Sequence, residues 1–158
     1  MAVDYFLKID GIAGESKDLK HKDAIDLESF SWGLTNEPVR TARPASGKAA
    51  IQDFHFVTRM NKASPALFLA CATGKHIKYA VLSVRKAGME KQDYLIVKMS
   101  DVVVSSYQTG GSEGADSPLD QVSFDFGRID VEYRATKPDG TLAAAVKAGW
   151  DVTQSRAV

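Results

Sequence analysis

The chain has 158 residues, 44% of them hydrophobic and 25% charged, which is typical of one globular domain with its own core. Lysine plus arginine equals aspartate plus glutamate at 20 each, so the formal net charge is zero and no basic excess points to nucleic acid. No apolar stretch approaches the roughly 18 residues that suggest a membrane-spanning helix. These figures predict a single domain over residues 1–158 that binds no nucleic acid and inserts into no membrane.

A single cysteine, Cys71, excludes an intrachain disulfide and argues against a cysteine-based metal site. The first residues lack the basic and apolar regions of a signal peptide. We therefore expect the chain to be made in the cytoplasm and, if it is exported, to leave without a cleaved leader.

Alternation of apolar and polar residues predicts a first strand at Val3–Asp10. A polar loop, Gly11–Asp23, separates it from a second strand at Ile25–Gly33, which is rich in aromatic and branched side chains. The loop carries mixed lysines and aspartates, a composition that favours a solvated segment.

The stretch Leu34–Ala50 has no sustained apolar period and contains Pro38, Pro44 and Gly47. It predicts an irregular loop of about 17 residues, whereas connections in compact domains usually have about 4–6. Loops of that length are usually either functional or disordered.

A third strand is predicted at Ile51–Met60, followed by the only convincing helix, Ser64–Gly74. Ser64 is a suitable N-cap, Pro65 fits the first helical turn and Gly74 ends the helix. About three turns of helix can cover one side of a sheet but cannot form a bundle.

His76–Lys86 and Gln92–Tyr107 are predicted to form a hairpin. The second strand contains a continuous apolar run, Val102, Val103 and Val104. Such a run indicates that both faces of the strand are shielded from solvent. Either the strand is central and buried within the domain, or one of its faces contacts another subunit.

After a Gly-, Ser- and Asp-rich loop at Thr109–Pro118, the clearest strand of the sequence is predicted at Gln121–Ala135. Its apolar face shifts by one residue after Gly127, which predicts a bulge there. The opposite face carries charges of both signs and is typical of a wet surface.

A turn is predicted at Pro138–Gly140. The tail is ambiguous, because Thr141–Lys147 has helical propensity and the residues around Trp150 favour a strand. Six or seven strands with one helix indicate a β-barrel or a β-sandwich.

No catalytic constellation is apparent. His21, His55 and His76 each stand without an acidic or histidine partner at a metal-ligand spacing, and Ser112 lies in a glycine-rich loop without a following helix. We therefore expect no enzymatic activity, no metal and no cofactor.

Four stretches of the chain, taken in order, resemble the Hcp family, the tube proteins of type VI secretion. They are Asp4–Ile12 with Gly14–Ser16, His21–Asp23 leading into Ile25–Gly33, Phe54–Arg59 with the helix after it, and Gly149–Asp151. The resemblance covers nearly the whole chain.

Membership of that family would imply a β-barrel of two sheets flanked by one short helix, with a long extended loop. Six copies would close into a ring, and rings would stack into a hollow tube that carries effector proteins in its lumen. A contractile sheath and a trimeric spike protein would be further partners. The protein would be made in the bacterial cytoplasm and secreted to the extracellular space or into a target cell.

The resemblance also assigns candidate contact residues. Stacking between rings would involve the long loop, through Glu37, Pro38, Arg40, Arg43 and Lys48. A contact within the ring would involve Val102, Val103 and Val104.

Two other functions stay open at this level. The chain could be a monomeric β-sandwich that binds a ligand through Leu34–Ala50 or Thr109–Pro118, which predicts a stable monomer. A hydrolase with an unrecognised serine or carboxylate pair is less favoured, and predicts a concave pocket holding a perturbed acid or base.

Overall fold

The computed structural model describes residues 3–37, 48–86 and 92–158. Within these ranges it contains nine strands and one helix, so the prediction of a mostly β fold with one short helix is confirmed. The elements are β1 (Val3–Ile9), β2 (Ile25–Asp26), β3 (Ser29–Glu37), β4 (Lys48–Arg59), α1 (Ser64–Thr73), β5 (His76–Lys86), β6 (Asp93–Gly110), β7 (Leu119–Tyr133), β8 (Val146–Asp151) and β9 (Arg156–Ala157).

The strands form one antiparallel sheet in the order β2-β1-β5-β6-β7-β4-β3, with β8 beside β7 and β9 beside β8. The two end strands, β2 and β3, are joined by only Leu27 and Glu28. The Leu27 N–H donates to Tyr5 O of β1 at 3.0 Å, and the Glu28 N–H donates to Val57 O of β4 at 2.8 Å. This connection therefore curls the sheet back on itself, which agrees in outline with the predicted barrel.

The long strands β6 and β7 each belong to both sides of the curled sheet. The pairing of β6 with β5 ends at Val103, and the pairing of β7 with β4 ends at Phe124 before β8 begins to pair at Arg128. The buried face of β7 shifts from Phe126 to Ile129, as predicted around Gly127.

The shift at Gly127 leaves the β6–β7 register intact. Val102 pairs with Phe126 and Ser100 pairs with Arg128. Asp101, opposite Gly127, has a φ of 53°. The backbone irregularity at this level therefore lies at Asp101 of β6, and the two strands stay in register from Ser100 to Val102 without the bulge that the sequence predicted.

The core lies between the two sides of the curled sheet. Phe54, Phe56 and Phe124 are each 0% exposed, and the Phe56 and Phe124 rings meet edge to face with centroids 5.2 Å apart. Aromatic rings in this geometry contribute about 0.5–1.5 kcal/mol beyond their buried area.

The helix ends as predicted but begins differently. Pro65 lies in its first turn, and Gly74 caps its end at a φ of 66°. The N-cap is Ala63, without a side-chain hydrogen bond, so the prediction of Ser64 as the cap is wrong. The Ser64 hydroxyl instead donates to the buried carboxylate of Asp120.

One further prediction is wrong, and the ambiguity of the tail is resolved in favour of a strand. The second predicted strand, Ile25–Gly33, is divided, because β2 pairs with β1 whereas β3 pairs with β4. The helical propensity of Thr141–Lys147 is not expressed: Val146–Asp151 is a strand, since it pairs along the edge of β7.

Candidate assembly surface

The predicted long loop is partly an extension of the sheet. β3 and β4 remain paired from Leu34 opposite Ile51 to Glu37 opposite Lys48, so the prediction of irregular structure across Leu34–Ala50 is wrong at both ends. Backbone hydrogen bonding between these two strand segments orders them despite the weak apolar pattern of their side chains. We call the paired segments 33–37 and 48–53 the arm.

Two of the predicted stacking residues lie at the described end of the arm. Glu37 and Lys48 are register partners, and the Lys48 side chain is exposed. Pro38, Arg40 and Arg43 lie outside the described residues. The structure therefore describes two of the five candidate stacking residues, Glu37 and Lys48.

The predicted ring-contact residues alternate in direction. Val102 is 0% exposed and Val104 is 2% exposed, so both side chains are held inside the protomer and have no surface to offer a neighbouring copy. Val103 is half-buried on the opposite face, in register with Asp125 of β7. The structure therefore supports the buried-central-strand alternative for Val102 and Val104, and leaves only Val103 for contact.

Two strand edges of the four-stranded segment β6-β7-β4-β3 lie open. β3 is the last strand of the order and pairs with β4 on one side. At the other side, β6 from Ser105 to Gly110 pairs with β7 but has passed the end of β5. Within the described residues, no strand lies beside Ser105–Gly110 or beside the outer edge of β3 up to Thr35.

The outward face of these four strands is polar and mostly uncharged. One row in register consists of Ser31, His55, Ser123 and Ser106, and the row beside it consists of Ser29, Val57, Gln121 and Gln108. His55 Nδ1 lies 3.0 Å from Ser123 Oγ, which links β4 to β7 across the face. Hydroxyl and amide groups of this kind contact polar surfaces without strong charge preference.

The loop between β1 and β2 is fastened to the sheet by a largely buried ion pair. Arg85 of β5 donates to both carboxylate oxygens of Asp18, through Nη1 at 3.0 Å and through Nη2. The backbone N–H groups of Lys20 and His21 donate to the same carboxylate at 3.1 and 3.2 Å. The hydrogen bonds from Arg85, above all, lower the pKa of Asp18 to about 2.

His21 makes a second fastening. Its Nε2 lies 3.0 Å from both oxygens of Asp93 on β6, and its ring stacks on Phe6 with centroids 4.6 Å apart. We call the four residues Asp18, His21, Arg85 and Asp93 the loop clamp. The sequence reasoning missed it, because these partners lie 67 and 72 residues apart along the chain.

A buried carboxylate positions α1 beside the open edge of β6. Asp120 is 0% exposed, accepts the Ser64 hydroxyl from α1, and accepts the Tyr107 hydroxyl from β6 at 3.2 Å. Burial and the neighbouring Asp120 carboxylate raise the pKa of Tyr107, so its hydroxyl stays a donor. The helix is thereby fixed to the segment Ser105–Gly110.

The described residues contain neither a group of potential metal ligands nor a helix that could span a membrane. No group of three or more His, Cys, Asp or Glu side chains among them is placed to hold a metal ion. In the same part of the chain, the helix is too short and insufficiently apolar to cross a membrane.

Comparison with known proteins matches the chain to one family. The family model for the type VI secretion system effector Hcp matches residues 6–133. Protein hcp1 of Pseudomonas aeruginosa is 40% identical over 159 aligned residues, which cover 98% of each chain.

Solved structures agree with that match. Hcp1 from Salmonella typhimurium is 33% identical with a TM-score of 0.82, over 99% of this chain and 100% of that one. A structure described as a type six secretion system protein is 29% identical with a TM-score of 0.94, again over 99% and 100% of the two chains. The family match, the relative and the shared fold together show that the chain belongs to the Hcp family and is a secreted tube subunit of type VI secretion.

Proposed function

We propose that six copies of this chain close into a ring, that rings stack into a hollow tube, and that the tube carries effector proteins in its lumen. The observation that carries the proposal is the pair of edges on one four-stranded segment that have no neighbouring strand among the described residues, β3 up to Thr35 at one side and Ser105–Gly110 of β6 at the other. A head-to-tail contact needs two unlike surfaces on each copy and generates a ring when the rotation closes.

Open strand edges are templates for pairing, because each presents a row of unpaired N–H and C=O groups. If β3 of one copy lies beside β6 of the next, the segment continues from copy to copy without an edge. When the ring closes, these backbone N–H and C=O groups are paired between copies, as they are between the first and last strands of a closed β-barrel.

The direction of curvature follows from where the bulk of the protomer lies. The core, to which Leu67 and Ala70 of α1 belong, lies on one side of the β6-β7-β4-β3 segment. A ring of such segments curves with the bulky side outward, which turns the row containing Ser31, His55 and Ser123 toward the lumen. Its hydroxyl and imidazole side chains would then form the surface that meets an effector.

Stacking of rings would use the arm. Glu37 and Lys48 stand at its described end, and Pro38, Arg40 and Arg43 belong to the segment between them. The charged residues that the sequence carries between positions 37 and 48 suit a polar contact with the next ring. A contractile sheath and a trimeric spike protein are the proposed further partners, and the extracellular space or a target cell is the proposed destination.

Electron microscopy of the purified protein tests the proposed assembly. Rings with six-fold symmetry and a central opening are expected, with stacks at high concentration. A strictly monomeric protein across a wide range of concentration would contradict the proposal and favour the ligand-binding β-sandwich.

Effector carriage needs a separate test with a matched pair of variants. Ser123→Trp places a bulky side chain on the proposed lumen face, whereas Lys147→Trp places one on β8. We expect both variants to form rings and only Ser123→Trp to lose protection of a co-expressed effector against protease. Equal protection by the two variants would count against this face as the effector surface.

A further inference from the structure

Helix α1 is apolar on the side that faces away from its own protomer. Its sequence, Ser64–Thr73, contains no charged residue. Phe68 and Leu69 are each 58% exposed, while Leu67 and Ala70 on the inner side are buried. A helix that is apolar all round is typically buried on all sides, and the protomer covers only one side.

The helix is held so that this outer face borders the open edge of β6. Asp120 accepts the Ser64 hydroxyl, which ties the start of the helix to β7. Phe68 packs against Tyr107 with ring centroids 6.2 Å apart, and Tyr107 belongs to the open edge Ser105–Gly110. Any strand that joins that edge therefore lies next to Phe68.

The open edge of β3 carries apolar side chains on the matching side. Leu34 is 52% exposed and pairs with Ile51, which packs against the core. Register partners point to the same side of a sheet. When β3 of one copy extends the β6-β7-β4-β3 segment of the next, Leu34 therefore lies on the side of that sheet where α1 is located.

We infer that the outer face of α1, centred on Phe68 and Leu69, is an intersubunit contact that is covered by Leu34 on β3 of the neighbouring copy. This inference rests on the proposed ring and names a contact that backbone pairing alone would not require. A second copy is the favoured occupant because the apolar face is continuous with the open β6 edge. The matching apolar group also stands on the opposite edge of the same chain.

Cross-linking between two single-cysteine variants tests this contact. Both variants carry Cys71→Ser, so that the only thiol is the introduced one; one variant has Leu69→Cys and the other Leu34→Cys. A short bis-maleimide should join them into covalent dimers in the mixture, and neither variant should be joined when treated alone. A third variant, Leu19→Cys, is the control, because Leu19 is 87% exposed and lies on the clamped loop.

A second experiment measures assembly directly. Leu69→Glu should raise the protein concentration needed for half-assembly by about tenfold or more, since it buries a charge in an apolar contact. Leu19→Glu should leave that concentration unchanged. Both substitutions are at exposed positions, so unchanged thermal unfolding of the dissociated protein is the expected check on folding.

The outcomes separate this inference from the proposed ring. If rings form but the Leu69–Leu34 mixture cross-links no better than the Leu19 control, the contact is refuted and the ring stands. If Leu69→Glu forms rings normally and loses only secretion from cells, a different protein covers the helix and the inference is wrong. If the parent protein forms no rings, the proposed function itself fails.

Discussion

Replacing Asp18 by asparagine removes the carboxylate charge that pairs with Arg85 in the loop clamp. The side chains of Asp18 and Arg85 are 11% and 8% exposed, so the guanidinium would be left largely buried beside a neutral amide. Breaking such a buried pair costs about 3–5 kcal/mol. Arg85 retains the Asp4 carboxylate at 3.6 Å, so we expect the lower end of that range, about 3 kcal/mol.

The loss is measured as a change in the free energy of unfolding. Urea titration followed by the fluorescence of Trp32 and Trp150 gives this quantity, at one fixed protein concentration because assembly shifts apparent stability. Asp116→Asn, on an exposed loop, is the matched control and should change stability by less than about 0.5 kcal/mol. A loss below about 1 kcal/mol for Asp18→Asn would refute the clamp as a main source of loop stability.

Acid titration gives an independent check, because the pKa of Asp18 is lowered to about 2 by its hydrogen bonds from Arg85. A carboxylate whose pKa is lowered in the folded state stabilises the protein above its unfolded pKa of about 3.9. That stabilisation is lost as the pH falls through the folded value. The difference in stability between wild type and Asp18→Asn should therefore be constant above about pH 5 and should shrink between about pH 4 and pH 2. A difference that does not change with pH would contradict the assignment.

Three further substitutions test the packing in the same urea assay. Gly14→Ala should cost about 2 kcal/mol or more, since its Cβ would lie 2.5 Å from the backbone oxygen of Ala24, whereas Gly111→Ala, whose nearest neighbour is a Pro118 side-chain atom at 3.8 Å, should be nearly neutral. Phe54→Ala should cost about 3–5 kcal/mol because the ring is fully buried among aromatics, and a loss under about 2 kcal/mol would mean that this core collapses to fill the gap. Asp120→Ala should cost about 2–3 kcal/mol and loosen α1, because Ser64 and Tyr107 lose their shared acceptor; unchanged hydrogen exchange in α1 would contradict that role.

Local patterns in the sequence predict most elements of this fold. Alternation predicts β1, β4 and β7, and the hairpin β5–β6 follows from two apolar runs. Pro65 and Gly74 mark the two ends of the helix because each acts through its own backbone conformation. These patterns depend only on residues that are close in the sequence, so they predict the elements without knowledge of the tertiary structure.

The errors, and the ambiguity of the tail, have a common physical cause in contacts with residues elsewhere in the chain. The arm from Leu34 to Glu37 is ordered by backbone bonds to β4, which no side-chain pattern reveals. Thr141–Lys147 has helical propensity, yet its last residues join the edge of β7. Ser64 looks like an N-cap but bonds to Asp120, which is 56 residues away.

The candidate contact surfaces were harder to predict than the fold. The run Val102–Val104 predicts cover on both faces, but only the structure shows that β6 is a central strand at that level, with Val102 and Val104 inside the protomer. The open edge of β6 exists because its pairing with β5 ends at Val103 while its pairing with β7 continues to Gly110. Only the folded sheet shows this difference. The family resemblance, carried by motifs spread along the chain, supplied the function.

The mass of the protein in solution tests the central claim most directly. Native mass spectrometry of the purified chain should show a species of six copies of the 17.1 kDa polypeptide, about 103 kDa, with no strong population of intermediates. Closed rings favour such a pattern, because every open edge is paired only when the last copy joins. A monomer at all concentrations, or an open series of masses without a dominant six-copy species, would contradict the ring.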